Sequence, residues 1–149
     1  MNLLLWRHAE AEDDWPDMER RLTERGERQA RRIAEWIRAR APGGLRVLAS
    51  PALRCRQTAE TLGHAIEIDK RLGGESDVTR ILLAVGWTVA SADATVVAVG
   101  HQPLFGQTVA FLLSGREDVW HVDKGAVWWL SRGKGGRVIL KASIPPEFA

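Results

Sequence analysis

Short unbroken apolar runs alternate along this chain with longer segments in which apolar residues return every three or four positions. Leu3-Leu4-Leu5-Trp6 is too short for a core helix and has the length of a buried strand. Ala30, Ile33, Ala34 and Ile37 recur at helical spacing, with Thr23 placed to cap that helix and Glu24 and Glu27 at its positive end. Gly26, inside the first turns, predicts a close approach of another backbone. Pro42-Gly43-Gly44 ends the helix, and residues 46–49 read as a second buried strand. Ser50-Pro51 has the form of an N-cap followed by a first-turn proline, opening a helix to about His64. A short strand at 66–68, a loop at 72–77 and a helix from Val78 to around Ala90, with Ile81, Leu82 and Val85 on one side, follow. Residues 95–99 form the clearest strand, being short, β-branched and apolar. A helix from Pro103 to about Leu113 stops at Ser114-Gly115, and 126–130 and 138–142 read as an antiparallel hairpin. This order predicts a three-layer α/β/α fold with a mostly parallel central sheet, as a single domain over residues 1–149.

Composition narrows the class. With 149 residues, 45% hydrophobic and 27% charged, the chain is long enough for one sizeable core. No apolar stretch reaches membrane-spanning length, and Arg7 follows the first one too closely for a signal peptide, so a cytoplasmic protein without a membrane partner is expected. Cys55 stands alone, which excludes an internal disulfide and reads as a buried helix residue. The arginines at 20, 21, 25, 28, 31 and 32 are mixed with Glu19, Glu24, Glu27 and Glu35. That is the pattern of a solvated helix face, and no nucleic-acid partner is expected. The glycines match neither a dinucleotide loop nor a P-loop, and no cofactor is implied.

The candidate chemistry lies where apolar runs end. The first strand stops at Arg7-His8, the strand at 95–99 stops at Gly100-His101, and Arg54 falls near the start of the second helix. In a doubly wound sheet such ends meet at one edge. Arg54 and Arg56 do not share a helix face, so at most one of them points to that edge. Two arginines beside two histidines suit a phosphoryl group: guanidinium forks match its oxygens, one imidazole can attack phosphorus, and the other can stabilise a nonbridging oxygen. None of the four histidines, His8, His64, His101 and His121, forms an HxxxH or HxH pair, and flanking arginines would repel a cation. Metal chemistry is therefore not expected.

These residues also carry a resemblance. Leu5-Trp6-Arg7-His8-Ala9 resembles the RHG signature of the histidine phosphatase, or phosphoglycerate-mutase-like, superfamily. The segment 22–30 is similar to its LTxxGxxQA helix, Ser50-Pro51 through Thr58-Ala59 to its SPxxRxxxTA motif, and Gly100-His101 to its late strand-end histidine. The resemblance implies a phosphoglycerate-mutase-like fold, with His8 as the phosphorylated nucleophile and Arg7, Arg54 and His101 as the remaining phosphate pocket. Arg21 is a further candidate phosphate-binding cation, with a solvated salt bridge as its alternative. Glu75 is the candidate general acid, with Asp77 competing as a helix cap and Glu10 at the rim. Ser50 and Thr58 are assigned to capping and packing. Ala9 departs from the signature glycine.

Short connections make the chain most similar to the short bacterial phosphohistidine phosphatases. The implied activity is removal of phosphate from a protein histidine through a covalent phosphohistidine enzyme, with a phosphorylated protein, such as a histidine phosphotransfer domain, as partner. A small-molecule phosphomonoesterase using the same mechanism and a noncatalytic phosphate-binding module are the alternatives.

Overall fold

A computed structural model describes residues 1–149. Six strands, β1 (Asn2–Arg7), β2 (Leu45–Ala49), β3 (Ile66–Ile68), β4 (Thr95–Gly100), β5 (Val127–Arg132) and β6 (Val138–Ile144), form one sheet in the order β3-β2-β4-β1-β5-β6. The pairings β2–β3, β2–β4 and β1–β4 are parallel, whereas β5 pairs antiparallel with β1 and with β6. The antiparallel part is the hairpin expected at the end of the chain, which needs no crossover.

Strand alternation explains why β1 is apolar without a break. Leu4 and Trp6 face one core with Ala30, Ile33, Ala34 and Ile37 of α1 (Glu24–Arg40) and Cys55 and Ala59 of α2 (Leu53–Glu60). Leu3 and Leu5 face the other with Ile81 and Ala84 of α3 (Val78–Ala84) and Leu104, Phe105 and Val109 of α4 (Leu104–Ser114). Helices on both faces leave every β1 side chain of this run buried, giving the expected three-layer α/β/α architecture with a mostly parallel sheet.

Parallel pairing puts the carboxyl ends of β1, β4 and β2 at one edge. Arg7 lies opposite Gly100 and Ala49 opposite Val99, so the residues just after each strand, His8, His101 and Ser50, come side by side.

Thr23 caps α1 as expected, its Oγ1 accepting from the Gly26 N–H at 2.9 Å. The Gly26 requirement is also physical: a Cβ there would lie 1.9 Å from the Glu10 carbonyl oxygen. Gly26→Ala must displace the backbone next to the β1 tip, and we expect a loss of about 3 kcal/mol in urea unfolding. An unchanged midpoint would show that the loop yields freely.

Two helices are shorter than their sequence pattern. The second was expected from Pro51 to about His64 but runs Leu53–Glu60, with Ala52 at its N-cap and no side-chain cap bond. The third was expected to reach Ala90 but ends at Ala84. Gly86 takes φ +68° there and the Trp87 N–H turns back to the Leu82 carbonyl at 2.9 Å, burying the indole in the core. Burial of Trp87 overrides continued helix propensity.

Candidate active site

His8 and His101 face each other at the sheet edge with ring centroids 5.3 Å apart and planes at 62°. The two rings are buried, and Arg54 reaches both from α2. Its Nε–H donates to His8 Nε2 at 3.3 Å and its terminal nitrogen approaches His101 Nδ1 at 3.4 Å. Arg56, two positions on, is exposed, in keeping with its different helix face.

The partners fix the tautomers. His8 Nδ1 lies 2.8 Å from the Ala9 carbonyl, which can only accept, so Nδ1 carries the proton and Nε2 presents a lone pair. Arg54 can only donate, so His101 Nδ1 accepts and its Nε2–H points to Ser50 Oγ at 2.8 Å. Ser50 was expected as a helix cap. It lies only 3.4 Å from the Ala52 N–H and serves chiefly as the partner of His101. That role depends on β2 lying beside β4 and has no local sequence signal.

Ala9 keeps the tip in place despite replacing a glycine. Its methyl is fully buried in the core, and its N–H donates to Thr58 Oγ1 at 3.1 Å while Thr58 itself donates to the Arg54 carbonyl at 2.7 Å. Thr58 thus ties the strand tip to the helix that carries Arg54.

Burial pushes both imidazoles toward neutrality. His8 falls to about 3, by desolvation, with the charges of Arg54 and Arg7 also lowering it and the Ala9 carbonyl opposing. His101 falls to about 4, by desolvation and then Arg54. Unfolded histidines titrate near 6.5, so between about pH 6.5 and about pH 4 the unfolded chain binds two protons that the folded chain refuses. The stability these neutral rings permit is complete above that window and is lost as pH falls through it. Unfolding in urea should cost roughly 3 to 4 kcal/mol less at pH 5 than at pH 7. A flat profile would mean that both rings accept protons without unfolding. Cys55 Sγ lies 3.5 Å from His101 Nε2, but burial pushes this thiol up to about 12, as suits the inert helix residue expected.

A cavity of about 190 Å³ opens at this cluster, lined by Arg54, His101, Ser50, Pro51, Gly73, Gly74 and, from the loop after β1, Asp17 and Met18. Asp17 was not foreseen. Its carbonyl accepts from Arg54 at 2.7 Å and its carboxylate from Arg54 at 3.1 Å, while Arg20 also holds the carboxylate at 3.1 Å. Hydrogen bonds from Arg20 and then Arg54 hold Asp17 below the usual carboxylate range.

The other expected site residues take different places. Arg7 donates to the Val122 carbonyl at 2.7 Å and lines an adjacent cavity of about 410 Å³ with Glu10, Arg25, His121 and Lys124. Glu10 accepts from Thr23 Oγ1 at 2.9 Å and pairs with Arg25, which places it at the start of α1. Arg21 and Glu75 are both exposed and line neither cavity. Asp77 caps α3, accepting from the Arg80 N–H at 2.8 Å. No three His, Cys, Asp or Glu side chains stand close enough together to hold a metal ion. No helix is long and apolar enough to cross a membrane.

A neutral imidazole lone pair, a second imidazole and a shared guanidinium at the tips of parallel strands define a phosphatase of the histidine type. Residues 3–78 match the histidine phosphatase superfamily (branch 1), and the chain belongs to this superfamily. It is 31% identical over 122 residues to the phosphohistidine phosphatase SixA of Escherichia coli strain K12, covering 77% of this chain and 76% of that protein. The structure of the protein histidine phosphatase SixA complexed with tungstate superposes with a TM-score of 0.81 at 27% identity, over 98% of this chain and 97% of that one. A mycobacterial glucosyl-3-phosphoglycerate phosphatase complexed with VO3 shares the fold, with a TM-score of 0.74 at 22% identity over 95% of this chain and 97% of its own. Phosphatase activity is common to these relatives, whereas their named substrates differ.

Proposed function

We propose that this chain, acting as one histidine phosphatase domain, removes phosphate from a protein phosphohistidine, with His8 as nucleophile. The observation that carries the reading is the state of His8: a buried neutral ring whose Nδ1–H is held by Ala9 and whose Nε2 lone pair stands beside Arg54. Arg54 and His101 receive the phosphoryl oxygens, and the charge of Arg7 acts from the flank.

Attack of Nε2 on phosphorus forms the Nε2–P bond as the P–N bond of the substrate breaks. A phosphohistidine whose second ring nitrogen carries a proton leaves as neutral imidazole and needs no acid from the enzyme. The phosphorylated His8 ring is then cationic, and its Nδ1–H bond to Ala9 stabilises it. Water attacks phosphorus, the Nε2–P bond breaks toward nitrogen, and orthophosphate departs with neutral His8 restored. His101, with Nε2–H committed to Ser50, donates to a phosphoryl oxygen from Nδ1 by sharing there a proton that the phosphoryl group carries in from solvent.

The cavity favours such a leaving group over an alkoxide. Glu75 lies outside it, and the carboxylate that lines it, Asp17, is held ionised by two arginines and is a poor acid. The test is turnover of a histidine-phosphorylated phosphotransfer domain beside a panel of small phosphomonoesters. Preferential release of phosphate from the domain supports the reading, and preference for one ester would assign a metabolite phosphatase instead.

A further inference from the structure

The loop after β1 presents two large apolar side chains to solvent at the mouth of the site. Trp15 is 84% exposed and Met18, which lines the cavity, is 50% exposed. Looseness does not explain this exposure. Asp17, between them, is bonded to Arg54 through both its carbonyl and its carboxylate, and Arg20 ties Asp17 to the Glu12 carbonyl, 2.7 Å from its Nε. Backbone bonds from Glu12 N–H to Arg21 and from Glu19 N–H to Pro16 close the loop upon itself. Asp17 therefore anchors the turn to the enzyme, while Trp15 and half of Met18 stay open to solvent.

The same loop is acidic. Residues 10–21 hold Glu10, Glu12, Asp13, Asp14, Asp17 and Glu19 against Arg20 and Arg21. Glu10 pairs with Arg25, and Asp17 with Arg20 and Arg54, whereas Glu12, Asp13, Asp14 and Glu19 have no cationic partner. An acidic rim repels small polyanionic esters and favours a surface that carries cations around its phosphate. An exposed tryptophan beside a methionine is the kind of anchor that protein interfaces bury.

We infer that the turn at residues 15–18 is the docking element for the protein substrate, and that this partner surrounds its phosphohistidine with an apolar spot flanked by lysines or arginines. The inference rests on the phosphohistidine reading above. Docking through Trp15 and Met18 would seat the partner's phosphorylated ring over the cavity containing Arg54 and His101.

The test compares wild type and Trp15→Ala on histidine phosphotransfer domains phosphorylated with phosphoramidate, and on free phosphohistidine. The expected result is a KM for the domains raised about 10-fold with kcat unchanged, while turnover of free phosphohistidine does not move. A second variant, Glu12→Gln/Asp13→Asn/Asp14→Asn/Glu19→Gln, should flatten the salt dependence of kcat/KM for the domains without affecting free phosphohistidine. An unchanged KM in Trp15→Ala together with an unchanged salt dependence in the second variant overturns the docking inference and leaves the phosphohistidine assignment standing, as does a wild-type dimer that Trp15→Ala dissociates. Wild type that hydrolyses small esters but no phosphorylated domain overturns both.

Discussion

His8→Ala is expected to lower phosphatase turnover by ~10⁴-fold or more and to abolish transfer of labelled phosphate to the chain. The size follows from what the side chain supplies. On the proposed mechanism its Nε2 lone pair attacks phosphorus, and because burial lowers the ring's pKa to about 3 it is neutral at pH 7, so no proton must be removed before attack. On that mechanism alanine removes the nucleophile and leaves Arg54 and His101 to bind phosphate. The variant should therefore retain orthovanadate or tungstate binding while losing turnover, and rapid-quench labelling with circular dichroism separates this from misfolding. Full turnover by His8→Ala would remove the covalent mechanism and move the nucleophile elsewhere.

Arg54→Ala should follow at ~10³-fold in kcat/KM, since it removes the group that touches both imidazoles and lines the cavity. Arg54→Lys should recover little, because one ammonium cannot span His8, His101 and both oxygens of Asp17 as the fork does. A second effect has a definite sign. The Arg54 charge lowers both histidines, so its removal lets them take protons at higher pH, and the acid limb of the pH–rate profile should move upward. A pH profile unmoved by Arg54→Ala, together with only a few-fold loss of kcat/KM, would place the phosphoryl group closer to Arg7 and the neighbouring cavity.

The sequence by itself determined the layers and the edge. Unbroken apolar runs of strand length, an amphipathic stripe from Ala30 to Ile37 with its Thr23 cap, and a late hairpin are local patterns whose physical cause is alternation or helical periodicity. The meeting of His8 and His101 was legible for the same reason: Arg7-His8 and Gly100-His101 end apolar runs, and these two parallel strands end in register. Gly26 was legible because its helix-propensity cost had to be offset by a backbone contact, here with Glu10.

Only the tertiary structure decided what each polar group does at that edge. Ser50 has the local pattern of a cap, yet β2 beside β4 presents its hydroxyl to His101. Asp17 sits in a charged loop with no periodicity, and its bonds to Arg54 span 37 positions. Glu75 lies in a region suited to an acid, yet its loop leaves the side chain in solvent while Gly73 and Gly74 line the cavity. The lowered pKa values of His8 and His101 come from desolvation and from the guanidinium of Arg54, carried on α2 far away in the chain. Periodicity is a property of neighbours in the chain, whereas protonation state and hydrogen-bond partners are set by whatever the packed layers bring within 3 or 4 Å.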